Sequence, residues 1–138
     1  MPGPKIGGDS IDMHGDMIVT GSDREDDIMQ LFSISQQVRV FTFDYSPKNI
    51  KKVNDGYVLA TRFSPDGKFI ITGGAGWNEV KIFANDSDST ALFSPVVESY
   101  RLPTPVFSIA VNPTRNEFAV GQENGNVHMV NYEVDENY

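Results

Sequence analysis

Apolar residues along this chain come in short runs, broken by Gly, Pro, Asn and Asp, and no stretch sustains a helical period. Ser10-Ile11-Asp12-Met13, Tyr57–Phe63 and Val106–Val111 read as strands from their alternation and β-branched content. Met29-Gln30-Leu31-Phe32, Val80-Lys81-Ile82-Phe83 and Val127-His128-Met129-Val130 share one order: apolar, polar, apolar, apolar. That order suits a strand packed on both faces at its end. Val38–Phe43 and Val96–Tyr100 read as additional strands, with Ser64-Pro65-Asp66-Gly67 and Asn112-Pro113 as turns between runs. The predicted class is all-β.

The organising unit is a repeat. Phe63–Gly73 aligns with Val111–Gly121 at an offset of 48 residues without a gap, and Met13–Gly21 is a weaker first copy. Glycines 21, 73 and 121 close the three copies, and the apolar-polar-apolar-apolar strand follows each after a turn. Those turns are Asp23-Arg24-Glu25-Asp26-Asp27, Ala75-Gly76-Trp77-Asn78 and Glu123-Asn124-Gly125. Asn124-Gly125 predicts a tight type I′ hairpin, because both residues tolerate positive φ. The units divide the chain into an N-terminal coil (1–9), a first repeat (10–43), a linker (44–56), a second repeat (57–100), a linker (101–105), a third repeat lacking its outer strand (106–132) and a tail (133–138).

Units of this length, with the Ser64-Pro65-Asp66-Gly67 turn, the Thr72-Gly73-Gly74 strand end and the Val80–Phe83 strand, resemble the WD-repeat family of β-propellers. The resemblance covers residues 10 to about 132 and is closest in the middle unit. It implies blades built as four-stranded antiparallel meanders. It also implies a non-enzymatic protein-interaction scaffold in a larger multiprotein assembly, cytoskeletal or ciliary ones being examples. The Trp-Asp pair common in the family is replaced by Phe32-Ser33, Phe83-Ala84 and Val130-Asn131, and the Gly-His pair before the first strand is missing. Thr20 and Thr72 stand where the family has a buried Ser or Thr, without a His partner. Apolar packing is therefore expected to hold these repeats together.

Three blades make an incomplete propeller, since a closed ring takes about four to eight. Two blade faces and one sheet edge are expected to stand open. Three completions follow: the chain is the C-terminal part of a longer propeller, it pairs with itself as three blades plus three, or it completes a partner chain's ring. In the family a strand from the N-terminus commonly closes the last blade, but residues 1–9, with two Pro and three Gly, make a poor strand.

Composition narrows the function further. The 138 residues carry 11 Lys and Arg against 19 Asp and Glu, a net charge of −8, and no Cys. Disulfides and thiolate chemistry are excluded. The acidic balance argues against nucleic acid, and Lys48, Lys51 and Lys52 form too small a basic cluster to reverse it. No apolar run approaches the roughly 20 residues of a membrane helix, and the N-terminus lacks a signal peptide's apolar stretch. An intracellular protein, cytoplasmic or cytoskeletal, without membrane insertion, is expected.

Catalytic, metal and cofactor chemistry find no constellation. His14, in the first turn, and His128, in the polar slot of its strand, lie in different units and lack ligand spacing, so both read as blade-surface residues. The Asp23–Asp27 run lacks the calcium-loop pattern. Gly73-Gly74-Ala75-Gly76 precedes a strand where a phosphate loop needs a helix, and Asn85-Asp86-Ser87 is a glycosylation sequon in a chain without secretory signals. No cofactor, metal or catalytic residue is expected. A ligand-binding or enzymatic propeller is the alternative; it needs polar groups converging on the central channel, where Leu59, Phe63, Ile109 and Val111 leave the first strands mostly apolar.

Protein partners fit better. In a four-stranded meander the second-to-third turn and the connection to the next blade emerge at the same end. That end is expected to gather Asp23, Arg24, Glu25, Asp26, Asp27, Lys48, Lys51, Lys52, Trp77 and Glu123 as the partner-binding set. Trp77, the sole Trp, would be the interface anchor or a ring folded over its linker.

Overall fold

The computed structural model describes residues 2–22, 28–43, 57–76, 78–84 and 96–133. Three antiparallel sheets run in simple chain order. Blade 1 contains β1 (Ile11–His14), β2 (Met17–Gly21), β3 (Met29–Ser33) and β4 (Val38–Thr42). Blade 2 contains β5 (Tyr57–Phe63), β6 (Phe69–Ala75), β7 (Glu79–Ala84) and β8 (Val96–Arg101). Blade 3 has three strands among the described residues: β9 (Val106–Val111), β10 (Glu117–Gln122) and β11 (Val127–Asn131). The fold is all-β and an incomplete propeller.

Side chains, not only strands, repeat from blade to blade. Gly21 pairs with Met29, Gly73 with Val80, and Gly121 with Val127. Two residues further along, Val19 faces Leu31, Ile71 faces Ile82, and Ala119 faces Met129. Because successive side chains leave opposite faces of a strand, each blade has a leading face toward the blade before it and a trailing face toward the blade after it. In blade 2 the neighbours Ile70 and Ile71 serve the two faces, and both are fully buried.

Two apolar seams result. Between blades 1 and 2, Val19, Met29, Leu31 and Phe43 meet Val58, Phe63, Ile70 and Phe83, with Met17 and Phe41 at the margin. Between blades 2 and 3, Ala60, Phe69, Ile71, Val80 and Ile82 meet Val106, Ile109, Phe118, Val120 and Tyr132. Burying one such large side chain is worth about 1.5–3 kcal/mol. The seams, rather than any one sheet, therefore carry the stability. β1 lies beside β5, and β5 beside β9, as the inner strands of the arc.

Polar ties lock the first seam at those inner strands. Asp9 bridges Ala60 in parallel, donating its N–H to the Leu59 carbonyl at 3.0 Å. Arg62 pairs with the Asp9 carboxylate and donates to the backbone oxygens of Asp9 and Ile11. The Asp12 carboxylate accepts the Phe63 N–H at 2.8 Å.

The turns correct three local expectations. Ser10 is fully buried just ahead of β1 rather than opening it, and His14 closes β1, leaving Gly15 and Asp16 as the turn. The Asn124-Gly125 hairpin is not type I′. Gly125 alone has positive φ, 86°, and the Gln122 N–H donates to the Asn126 carbonyl across a longer loop. A glycine in the left-handed region after an ordinary turn matches strand twist as well as the two-residue form does.

Candidate functional site

The functional surface is defined by what the two seams leave over. In blade 2 the trailing-face pair Val80 and Ile82 is 1% and 2% exposed, because blade 3 covers it. The register-equivalent pair in blade 3, Val127 and Met129, is 70% and 64% exposed. Ala119 and Gly121 of β10 share that open face with Ser108 and Ala110 of β9, and Glu117, opposite Asn131, sits at its end. β11 was expected to pack on both faces. It packs on one, because no blade follows it among the described residues. Phe107, at the β9 bulge, adds a half-exposed aromatic ring nearby.

Blade 1 is open on the opposite side only along β1 and at Arg39. Its leading face carries Ile11 and Met13 of β1, 48% and 62% exposed, beside Ile18, which is half-buried. Thr20, Gln30 and Phe32 of the same face are buried. Arg39 lies opposite Phe32 and is exposed.

The repeat glycines report the same asymmetry. A Cβ added to Gly21 would collide with Ser10 Oγ and with Val58 of blade 2, and one added to Gly73 would lie 2.6 Å from Val106 Cγ1 of blade 3. At Gly121 the nearest atom is Ser108 Oγ of its own sheet, 2.7 Å away. Glycine at the first two positions lets the next blade's first strand approach; at the third no such strand is present among the described residues.

The polar slot of the third strands faces inward in all three blades. Gln30 and Lys81 are buried, and His128 turns toward blade 2 with Nε2 buried and without a hydrogen bond. His128 is thus a half-buried seam residue rather than one on a free blade surface. The Lys81 ammonium lies 3.8 Å from Glu79, which also pairs with Arg101 and accepts the Ser99 hydroxyl at 3.2 Å. A buried ammonium requires such company. Thr72 donates to the Lys81 carbonyl at 3.4 Å, whereas the Thr20 hydroxyl is buried and has no partner among the described residues.

Carboxylates fasten two turns. The Asp16 carboxylate accepts the Ser33 hydroxyl at 2.7 Å and the Ser35 hydroxyl and N–H, and these bonds, Ser33's first, hold its pKa below the ordinary aspartate value. In the Ser64-Pro65-Asp66-Gly67 turn, Ser64 Oγ donates to Asp66 and accepts the Phe69 N–H, while Gly67 takes φ of 75°. Burial opposes ionisation of Asp66, but the Lys68 N–H, the Ser64 hydroxyl and the Lys68 charge together outweigh it and lower its pKa. In blade 3 the corresponding acceptor is a neutral amide: Asn112 Oδ1 accepts the N–H groups of Thr114 and Arg115. Tyr132, packed on Phe69 and Phe118, has its pKa raised by burial and by Asp66.

Of the expected partner-binding set, Glu123 is exposed at the β10–β11 turn, its N–H bonded to the Pro105 carbonyl. Asp23, Arg24, Glu25, Asp26, Asp27, Lys48, Lys51, Lys52 and Trp77 lie outside the described residues. Among the described residues no group of three or more His, Asp or Glu could hold a metal ion, and no helix is long and apolar enough to cross a membrane. The open-face residues Val127 and Met129 carried a core signal in the sequence; only the count of blades pointed to their exposure.

Sheets of this order, stacked face to face around inner strands, are β-propeller blades. The family described as WD domain, G-beta repeat, matches residues 37–83. The matched stretch runs from the end of the β3–β4 turn through β7, so one sequence repeat begins in blade 1 and ends in blade 2. Residues 37–83 thus match a WD repeat, and the fold around them is a β-propeller segment of about three blades. Among solved structures it is similar to the Cps50 (Swd1) β-propeller domain of Myceliophteria thermophila, at 12% identity and TM-score 0.65, covering 95% of this chain and 37% of that one. It is similar to the C-terminal WD40 domain of Sif2, at 17% identity and TM-score 0.63, covering 86% and 32%. The computationally designed Ika4 protein is also similar, at 12% identity and TM-score 0.62, covering 89% and 64%. The chain spans about a third of the length of the first two. No curated protein matches the sequence.

Proposed function

We propose that this chain is a non-enzymatic protein-interaction scaffold, a propeller segment that works inside a larger intracellular assembly, cytoplasmic or cytoskeletal. The observation that carries this reading is the trailing face of blade 3. It repeats the positions that blades 1 and 2 use for blade-to-blade packing, and it has nothing on it among the described residues. Further blades complete it, whether from the remainder of a longer chain, from a partner chain or from a second copy. Large exposed apolar faces on soluble proteins mark interaction sites. A cytoskeletal or ciliary complex is the kind of assembly such a segment would serve.

A second contact region is proposed at the end of the blades that carries Glu123. There Trp77 would anchor a partner, flanked by Asp23, Arg24, Glu25, Asp26 and Asp27 and by Lys48, Lys51 and Lys52. The experiment compares proteins co-purified with the unsubstituted chain, with Met129→Asp and with Trp77→Ala, alongside a thermal-shift screen of metabolites. The scaffold reading expects defined proteins lost from one variant or the other. Large stabilisation by a small metabolite, with identical co-purification for all three chains, would instead support a channel-binding propeller.

A further inference from the structure

We propose that Asn124, in the β10–β11 turn, is a site of spontaneous amide-to-acid conversion, through attack by the backbone nitrogen of Gly125. The site stands whatever docks on blade 3.

The reaction needs a side-chain amide followed by a residue whose nitrogen can reach it. The Gly125 nitrogen attacks Asn124 Cγ, and the new C–N bond closes a five-membered imide. The proton of the attacking N–H passes through solvent to the side-chain nitrogen, which leaves as ammonia. Water then opens the ring. Cleavage at Cγ gives aspartate; cleavage at the main-chain carbonyl gives isoaspartate, whose backbone is longer by one methylene. Water is consumed and ammonia released, and either product adds a negative charge to the chain's −8. Glycine permits the attack because it has no Cβ to obstruct the approach. Asn124-Gly125 is the one Asn-Gly pair in the sequence.

The structure singles this position out. Residues 123–127 are exposed, and a Cβ built on Gly125 meets nothing within 4 Å. The other described asparagines each lack a requirement. Asn112 precedes Pro113, which has no N–H, and Asn78, Asn116, Asn126 and Asn131 precede residues whose side chains crowd the approach. The chemical counterpart in blade 2 is Asp66-Gly67, which could close the same ring from a neutral carboxylic acid. There burial opposes ionisation, but the Lys68 N–H, the Ser64 hydroxyl and the Lys68 charge keep Asp66 a carboxylate, a poor target for a nucleophile. A Cβ on Gly67 would also strike the His14 ring, so that turn is packed. Asn124 has neither safeguard.

Hydrogen bonds slow the reaction without preventing it. The Gly125 N–H donates to the Gln122 carbonyl at 3.0 Å, and Asn124 Oδ1 accepts the Asn126 N–H at 3.0 Å. Both bonds must open before the nitrogen reaches Cγ. Among the described residues β11 pairs only with β10, so this hairpin opens against a single ladder. The two products then differ. Aspartate can still accept the Asn126 N–H, as Asp66 accepts the Lys68 N–H, and the turn survives. Isoaspartate inserts a methylene inside the loop closed by the Gln122–Asn126 hydrogen bond, and shifts β11, with Val127 and Met129, against β10.

The test incubates the 138-residue chain at neutral and alkaline pH and follows each asparagine by peptide mass spectrometry, with aspartate and isoaspartate separated by chromatography. Acid should appear at Asn124 ahead of every other described asparagine, and faster as the pH rises, because the deprotonated nitrogen attacks. Conversion should be about 10- to 100-fold slower than in the urea-unfolded chain. The isoaspartate form should exchange its β11 amide hydrogens about tenfold faster than the parent, whereas Asn124→Asp should exchange them at the parent rate. Asn124→Gln, whose longer side chain closes a less favourable ring, should keep its amide throughout. An Asn124 that stays intact while the urea-unfolded chain converts overturns the site, as does earlier conversion at another described asparagine. Equal rates in the folded and unfolded chains overturn the protection by the turn's hydrogen bonds. Unchanged β11 exchange in the isoaspartate form overturns the register shift.

Discussion

β7 and β11 share an apolar-polar-apolar-apolar order and the same register with their preceding strands, yet they live in different surroundings. Val80 and Ile82 are sealed, whereas Val127 and Met129 stand open. The chemistry of the two strands is nearly the same; the neighbour differs. In a stacked-repeat architecture burial belongs to the interface between units, not to the unit. Blade 2, covered on both faces, is the stability centre, and blades 1 and 3 each hold half of what they need.

The comparison breaks most visibly if core deletions in the two blades cost the same. Phe118→Ala and Ile82→Ala, both in the seam between blades 2 and 3, should each lower unfolding free energy by about 2–5 kcal/mol in urea titration. Against typical domain stabilities of roughly 5–15 kcal/mol, either loss is large. Met129→Ala, at an exposed position, should stay within about 0.5 kcal/mol. Equal losses at Ile82 and Met129 would mean that blade 3 is covered within the chain.

The glycines sharpen the contrast at smaller amplitude. Gly73→Ala forces a methyl against Val106 and should cost about 1–3 kcal/mol. Gly121→Ala meets only the Ser108 hydroxyl, which can rotate, and should cost less than about 1 kcal/mol. Reversal of that order in thermal unfolding would undo the account of why each repeat ends in glycine.

The smallest effect is on acid stability. Asp16 and Asp66 bind protons less tightly in the folded chain than in the unfolded one. Their contribution is therefore complete above about pH 4 and disappears as the pH falls below it. Asp66→Asn should flatten the acid limb of melting temperature against pH. At the alkaline end the raised pKa of Tyr132 makes folding less favourable once the pH exceeds about 10, where the unfolded tyrosine ionises first. Tyr132→Phe should remove that loss. Insensitivity of both limbs to these variants would remove the turns and the tyrosine from the pH response.

Much of the fold was legible because strands announce themselves locally. The Ser64–Gly67 turn, the repeat glycines and the third-strand pattern each depend on a few adjacent residues, and eight of the eleven described strands, all but the second of each blade, were placed within a residue at their ends. What was not legible depends on which blade lies alongside. Gln30 and Lys81 look like solvent positions and are buried; the slot Lys81 occupies faces the preceding blade. Nothing in the local sequence marks Asp9 and Asp12 as seam residues, yet both cross to β5 and tie blade 1 to blade 2. At the candidate site the sequence pointed to turn residues, of which Glu123 is described and exposed. The sheet face that stands open was hidden by its own hydrophobicity, since Val127 and Met129 look like core in any local window.

Because the chain has no cysteine, single substitutions supply unambiguous thiol reporters. The most direct measurement is the rate of thiol labelling of Val80→Cys and Val127→Cys across a dilution series. Val80→Cys should label only through unfolding, at a slow rate independent of concentration. Val127→Cys should label at nearly the rate of a free thiol in the most dilute sample. Equally slow labelling at both positions in the most dilute sample would contradict the open face on which the account stands.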